Sequence, residues 1–272
     1  MPDRRSTADP APVPGDLSPP LKWAGGKRWL VPRLRDLWQE GAHRRLVEPF
    51  VGGMAVALGL LPERALLNDL NRHLINFYRH LQRGLVVEIA LENDKATYYR
   101  HRERFNALVR EGKAGTQESA ALFYFLNRTG YNGLCRFNKK GAFNVPFGRY
   151  KAINYTKDFR PYASLLARWH FTCVDFAALQ LDAGDLVYAD PPYDVAFTSY
   201  SRHGFVWADQ VRLAHWLASR PLPVIASNQA TRRILDLYRG LGFDIELLDA
   251  PRRISCTGDR TPAKEMLATK NL

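Results

Sequence analysis

Residues 185–193 read Asp-Leu-Val-Tyr-Ala-Asp-Pro-Pro-Tyr, an apolar run of strand length that stops on an acid and two prolines. Leu186-Val187-Tyr188-Ala189 shows no polar alternation, which predicts a strand buried on both faces, as in a parallel sheet. Proline has no N–H to extend a ladder, so the strand ends at Asp190 and a stiff turn follows. Outward from this run, 45–49, 64–67, 171–174 and 223–226 read as further short strands. Segments 54–61, 72–82, 98–110, 118–126, 207–219 and 231–241 read as helices; in the second, Leu74, Ile75, Tyr78 and Leu81 share one face. Segments 243–248 and 265–269 read as a closing antiparallel pair. Strands alternating with helices predict an α/β fold with a mainly parallel sheet covered on both faces. The alternation breaks in the middle third, where 130–149 is rich in Gly and Asn and contains Pro146, the composition of a loop or hairpin. The expected organisation is a leader at 1–20, an α/β domain assembled from 21–71 and 158–272, and a mostly helical insertion at 72–157 carrying a β-hairpin.

The 272 residues carry 39 Lys and Arg against 27 Asp and Glu, a formal charge of +12. That balance predicts an acidic partner such as nucleic acid or an anionic membrane surface. With 46% hydrophobic and 12% aromatic residues the chain can build a core, which excludes the disordered class. It has no run of about 18 apolar residues of the kind that spans a bilayer. Segment 1–20 holds six prolines and no apolar stretch, so it reads as a disordered leader rather than a secretory signal. Cys135, Cys173 and Cys256 are odd in number and far apart, and the seven histidines show no ligand spacing with Cys or acids. No metal site and a reducing, cytoplasmic compartment are expected. The charge is uneven: 100–160 holds thirteen Lys and Arg against four Asp and Glu, a net of +9. Solvated helix faces account for part of it, but from 127 to 155 basic residues interleave with aromatic and amide ones. Lys and Arg of such a surface meet phosphates, and its aromatic faces meet exposed bases. The basic residues do not lie opposite a sustained apolar helix face, which argues against a membrane-surface role. A monomer is expected.

Four motifs carry chemistry. At the carboxyl end of a strand, where open α/β sheets bind ligands, Asp190 and the Pro191 carbonyl can accept the two hydrogens of an exocyclic amine. Pro192 stiffens the turn, and Tyr193 offers a ring to stack on a flat heterocycle. Read alone, the same residues also make a proline turn capped by Asp. Glu48-Pro49-Phe50-Val51-Gly52-Gly53 places a glycine turn between strand and helix, close enough for a ligand to meet the backbone, or simply for a tight turn. Asp69, at the end of the next strand, is placed to accept from ribose hydroxyls or to cap the helix that follows. Lys22-Trp23-Ala24-Gly25-Gly26-Lys27 can grip a carboxylate and set an aromatic face on a cation, or be a flexible basic loop. Together the four suit one ligand with a carboxylate, a sulfonium, a ribose and an adenine, seated beside an amino-bearing base.

In these motifs the chain resembles the Dam family of adenine-N6 DNA methyltransferases, from about residue 21 to 269. The most specific stretch is Asn127-Arg128-Thr129-Gly130-Tyr131-Asn132-Gly133-Leu134-Cys135-Arg136, continued by Phe143-Asn144-Val145-Pro146-Phe147-Gly148-Arg149-Tyr150, which is similar to the family's target-recognition hairpin. The order of donor site, recognition insertion and Asp-Pro-Pro-Tyr also matches, as do Arg253-Ile254-Ser255, Arg260 and Glu265 near the end. The resemblance implies a Rossmann-like methyltransferase sheet and S-adenosyl-L-methionine as donor, leaving S-adenosyl-L-homocysteine, with no metal. It makes 21–71 and 158–272 the donor-binding catalytic domain and 72–157 the target-recognition domain.

By the same resemblance, Trp23, Lys27, Phe50, Gly52, Asp69 and Asp190 contact the donor, and Asp175 and Phe176 flank its adenine. Asp190, Pro191, Pro192 and Tyr193 form the catalytic turn. Double-stranded DNA is the partner: Tyr131 wedges into the duplex, Leu134, Arg136 and Pro146 read bases, Lys22 touches an outer guanine, and Asn132, Asn138 and Arg149 complete the surface. GATC is the expected site, with the target base flipped out. Arg suits guanine O6 and N7, and Leu and Pro suit a thymine methyl. Two departures stand out. Gly53-Met54 replaces the family's further glycine and is expected to crowd the donor turn, and the stretch from Tyr193 to Tyr200 is short. Asp-Pro-Pro-Tyr also serves a cytosine N4 amine, and a catalytically inactive DNA-binding protein on the same scaffold is the other alternative.

Overall fold

A computed structural model of the chain describes residues 17–39, 43–193, 205–250 and 263–272. The run before Asp190 forms β4 (Asp185–Ala189), with all five residues buried. It lies in a seven-stranded sheet with β1 (Arg45–Glu48), β2 (Ala65–Asn68), β3 (Trp169–Thr172), β5 (Val224–Gln229), β6 (Asp244–Ala250) and β7 (Ala263–Lys270). The order is β3-β2-β1-β4-β5-β7-β6, and only β7 runs antiparallel to its neighbours. The alternation implied this mainly parallel α/β sheet, and its Rossmann-like architecture is the one the resemblance implied.

The period of two along each strand divides the interior into two cores. Leu46, Leu67, Leu186, Tyr188, Ile225 and Leu267 point to one, while Val47, Leu66, Val187, Ala189, Val224, Ala226, Met266 and Ala268 point to the other. Helices α7 (Trp207–Ala218) and α8 (Arg232–Gly240) close the second core. The first is closed by α1 (Val31–Gln39), α2 (Ala55–Leu60), α3 (Arg72–Gln82) and α6 (Arg160–Leu166), and it runs on into α4 (Lys95–Arg110) and α5 (Gln117–Thr129). Nearly every residue of α5 is buried, as expected of a helix that is apolar all round. From β1 the chain winds outward to β2 and β3, then returns to β4 beside β1 and leaves toward β5. The carboxyl ends of β1 and β4 therefore part into the crevice that open α/β sheets use for ligands.

Several boundaries differ from the sequence reading. Helices α1 and α6 lie where the sequence reading placed no element; both carry proline in the first turn, where its missing N–H costs nothing. β3 lies two residues earlier than expected, because Asn68 draws the chain off the ladder by accepting from Val174 N–H at 3.0 Å. β5 continues past Ala226 through Ser227-Asn228-Gln229. The segment 130–149 folds back on itself, but as isolated bridges (Gly130 to Phe147 and Phe137 to Phe143) rather than a continuous ladder. Left-handed backbone at Asn132, Gly133, Gly141 and Arg149 interrupts it. Of the expected leader, residues 1–16 lie outside the described residues. Leu17 packs on the first core, and Ser18 accepts a hydrogen bond from the Tyr162 hydroxyl at 2.6 Å. Residues 194–204, with the short stretch after Tyr193, and 251–262, with Arg253-Ile254-Ser255, Cys256 and Arg260, also lie outside them. No described helix is long and apolar enough to cross a membrane.

Candidate active site and recognition surface

All four motifs meet at the crevice between β1 and β4. Gly52 has φ of +46°, and a Cβ on it would stand 2.7 Å from Trp23 Nε1; one on Gly53 would stand 2.8 Å from Trp23 Cβ. The two glycines thus let the Trp23 side chain close onto the turn. Met54 follows at φ 60°, in the left-handed region, but its side chain is fully buried in the first core. The residue expected to crowd the turn thus packs its side chain into the first core. Asp69 links the turn to β2: its carboxylate accepts from Gly52 N–H at 3.2 Å and Asn71 N–H at 2.8 Å. The N-cap of α3 is Asn71, which accepts from His73 and Leu74, so the capping alternative for Asp69 does not hold. Burial pushes the Asp69 carboxyl up to about 6.

Across the crevice, β4 delivers Asp190 into a polar cluster. Lys27, 3% exposed, donates to Asp190 Oδ2 at 2.9 Å and to the Gly25 carbonyl at 3.0 Å, and its ammonium pairs with Asp190 Oδ1 at 2.8 Å. Its ammonium also lies 3.9 Å from Glu265 Oε2 and 4.7 Å from the centre of the Tyr193 ring. Burial and the Asp190 and Glu265 carboxylates hold the Tyr193 phenol well above its ordinary value. Burial raises Glu265, with Lys27 opposing. Glu48, at the end of β1, is raised well above the usual carboxylate range by burial, against a bond from Ala57 N–H and with Asp190 adding to the rise, and its Oε1 is buried without a partner. Phe50 lies half-buried, its ring 5.8 Å from Phe176 and 5.5 Å from Phe205. The Phe176 ring is 2% exposed inside the second core, with the Arg212 guanidinium 4.1 Å from its centre. Asp175 forms a two-pronged pair with Arg212 at 2.7 and 2.8 Å, which holds its carboxyl below the usual range. Phe176 thus packs beside Phe50 of the glycine-turn motif, while Asp175 is held by Arg212.

The predicted recognition residues lie on the segment that follows α5. Tyr131 is half exposed at its tip, before the left-handed Asn132 and Gly133. Leu134 is half-buried against the first core, Pro146 and Arg149 are exposed, and Pro146 accepts from Tyr131 N–H at 2.9 Å. Arg136 donates to Asn144 Oδ1 at 2.9 Å. Asn138 is occupied by its own turn, its Oδ1 accepting from Lys140 and Ala142 N–H at 3.0 Å each. Lys22 sits between this segment and the donor motif. Its ammonium donates to the Arg128 carbonyl at 2.9 Å and lies 3.4 Å from the centre of the Tyr150 ring. Its backbone exchanges two hydrogen bonds with the Asn127 side chain at 2.8 Å. Burial, with Arg128 nearby, lowers the Lys22 ammonium to about 8.

Residues 23–254 match the family described as D12 class N6 adenine-specific DNA methyltransferase. The chain is 38% identical over 274 residues to the DNA adenine methylase of Vibrio cholerae, covering 91% of this chain and 94% of that one. It is 34% identical over 268 residues to the DNA adenine methylase of Escherichia coli strain K12, covering 91% and 93%. It is also 38% identical over 257 residues to the DNA N-6-adenine-methyltransferase of Escherichia phage P1, covering 88% of this chain and 33% of that protein. The chain belongs to the D12 class of adenine-specific DNA methyltransferases.

Around the Asp-Pro-Pro-Tyr turn of this methyltransferase stand three residues that no motif marked: Ser227, Asn228 and Gln210. Each is 1% exposed or less. Ser227 donates to Asp190 Oδ1 at 3.0 Å, Gln210 Nε2 donates to the Pro192 carbonyl at 2.8 Å, and Asn228 Nδ2 donates to Gln210 Oε1 at 3.0 Å. A signal was present. Polar Ser227-Asn228-Gln229 extends the apolar run 223–226, and a buried strand carries such residues only where they are bonded.

Proposed function

We propose that this methyltransferase transfers a methyl group from S-adenosyl-L-methionine to adenine N6 in double-stranded DNA, at GATC, with the target base flipped out of the duplex. The observation that carries the reading is the seat of Asp190, a carboxylate at the end of a central strand, with the Tyr193 ring beside it and the glycine turn and Asp69 across the crevice. The cradle fits the donor. The Trp23 ring and its glycine turn suit a cation and a backbone approach, Asp69 accepts from hydroxyls, and the orphaned Glu48 oxygen leaves a buried acceptor unfilled. When bound, the donor supplies an activated methyl on a sulfonium.

The chain's own groups then position the amine. The Asp190 carboxylate and the Pro191 carbonyl accept its two hydrogens, which turns the nitrogen lone pair out of ring conjugation, and Tyr193 stacks on the base. Positioning of this kind is the main catalytic term for a good leaving group. Lys27 and Ser227 each take one acceptor site, on Oδ2 and Oδ1 of Asp190, and a carboxylate oxygen has two such sites, so the amine can still be accepted. Glu265 offers the Lys27 ammonium a second carboxylate 3.9 Å away. Extrusion of a base costs a few kcal/mol, which phosphate contacts of the basic insertion offset, with Tyr131 filling the vacated space. In this reading 21–71 with 158–272 bind donor and amine and 72–157 read the DNA, as a monomer in the cytoplasm.

Plasmid DNA treated with the enzyme and donor is expected to resist a nuclease that cuts only unmethylated GATC, and nucleoside mass spectrometry is expected to show N6-methyladenine. Asp190→Ala is expected to abolish transfer while DNA binding survives. Transfer by Asp190→Ala at the normal rate would sink the reading.

A further inference from the structure

Ser227 and Asn228 are consecutive on β5, so their side chains leave opposite faces of the sheet, and each face holds one part of the Asp-Pro-Pro-Tyr turn. On the first-core face, the Ser227 hydroxyl donates to Asp190 Oδ1 at 3.0 Å and lies 2.9 Å from the Tyr188 hydroxyl. A serine has one proton to donate and an ionised carboxylate has none, so the direction is set. Tyr188 donates to Ser227, and Ser227 donates to Asp190. On the second-core face, Asn228 donates to Gln210 of α7, and Gln210 donates to the Pro192 carbonyl. The Asn228 side-chain oxygen Oδ1 in turn accepts from Gln229 N–H at 2.8 Å.

We propose that Ser227, with the Asn228–Gln210 pair, are positioning residues of methyl transfer: one strand clamps the catalytic turn from both faces. The first arm sets the rotation of the Asp190 carboxylate, so that its remaining lone pairs face the amine. The second sets the direction of the Pro192 carbonyl, and through it the place of the next residue, Tyr193. Neither arm touches the base. Buried polar side chains are costly unless bonded, and here the bonds converge on the one turn whose geometry the reaction depends on. A turn containing two prolines lacks two backbone donors, so it is held through its carbonyl and its side chain.

The inference rests on Asp190 as the acceptor of the target amine, and the test separates the two. Single-turnover transfer to plasmid DNA is measured with donor and DNA saturating for Ser227→Ala, Ser227→Thr, Gln210→Met and Asp190→Ala, alongside DNA affinity and thermal midpoint. Ser227→Ala and Gln210→Met are each expected to slow transfer by about tenfold to a hundredfold, the scale of a small misplacement of a reacting group. DNA affinity should stay near that of the parent, and the loss of rate should exceed any loss of folded protein. Ser227→Thr keeps the hydroxyl and is expected to recover most of the rate. Normal rates for Ser227→Ala and Gln210→Met beside an inactive Asp190→Ala would overturn the clamp and leave the site reading intact. A Thr variant as slow as the Ala variant would overturn the hydroxyl's role. An active Asp190→Ala would remove the site reading itself.

Discussion

Burial pushes the Asp69 carboxyl up to about 6 even though two N–H groups, from Asn71 and Gly52, pull it down. In the proposed donor seat a sugar hydroxyl that donates to this group favours its ionised form, which would couple donor binding to loss of a proton. Donor affinity measured by calorimetry is expected to tighten as pH rises from about 5 to 7 and then level off, while Asp69→Asn shows no such slope. Folding runs the other way. The folded state holds more protons than the unfolded chain between pH 3.8 and about 6, so this group favours folding most below 3.8 and that contribution is lost as pH rises through 6. Asp69 and Asp190 were legible as acids at strand ends. Which of Asp69 and Asn71 caps α3 was not, because both precede the helix and only the backbone path decides whose oxygen reaches the first-turn N–H groups.

At the scale of elements, the segment proposed to read DNA is held by α4 as well as by its own isolated bridges. Asn106 of α4 both donates to the Phe143 carbonyl at 3.1 Å and accepts from its N–H at 2.8 Å, and the Tyr98 hydroxyl donates to the Val145 carbonyl at 2.9 Å. Asn106→Leu leaves the two Phe143 backbone groups buried without partners, at about 1–3 kcal/mol each. Urea unfolding is expected to show that loss, and DNA binding should weaken while donor binding persists. An unchanged midpoint would show that the segment holds itself. The place of this segment was legible from Gly, Asn and Pro146, but its support was not. The partner bonds span 37 and 47 residues in sequence, and the local pattern at Asn106 is that of an ordinary polar helix position. β5 is the reverse case, where an apolar period ended at Ala226 and the strand did not. Ladder bonds to β7 run on through Gln229, and they are indifferent to side-chain polarity.

Over the whole molecule, the bases of the +9 segment fall into three groups, of which one, Arg100, Arg102, Arg128 and Arg136, donates to uncharged oxygens of the protein. The segment's four acids are each paired with a base of the same segment: Glu103 with Arg110, Glu111 with Lys113, Glu118 with Arg104 and Asp158 with Arg160. Lys139, Lys140, Arg149, Lys151 and Lys157 are exposed and have no acid partner among the described residues. That unpaired group is the part of the charge free to displace counterions from DNA. Lys140→Ala is expected to lower the slope of DNA affinity against salt by about one, whereas Lys113→Ala, already paired, leaves it unchanged. Equal slopes for both variants would return the charge to a diffuse role.

The α/β class, the two-faced burial of the strands, the order of the motifs and the family were legible in the chain's order of residues, because these are local periods and contiguous residues. Folding alone seats Lys27 on Asp190, buries Phe176, and brings Ser227, Asn228 and Gln210 onto the Asp-Pro-Pro-Tyr turn. Those contacts join residues brought together by strand order, and the return of the chain from β3 to β4 leaves no trace in any single stretch of sequence.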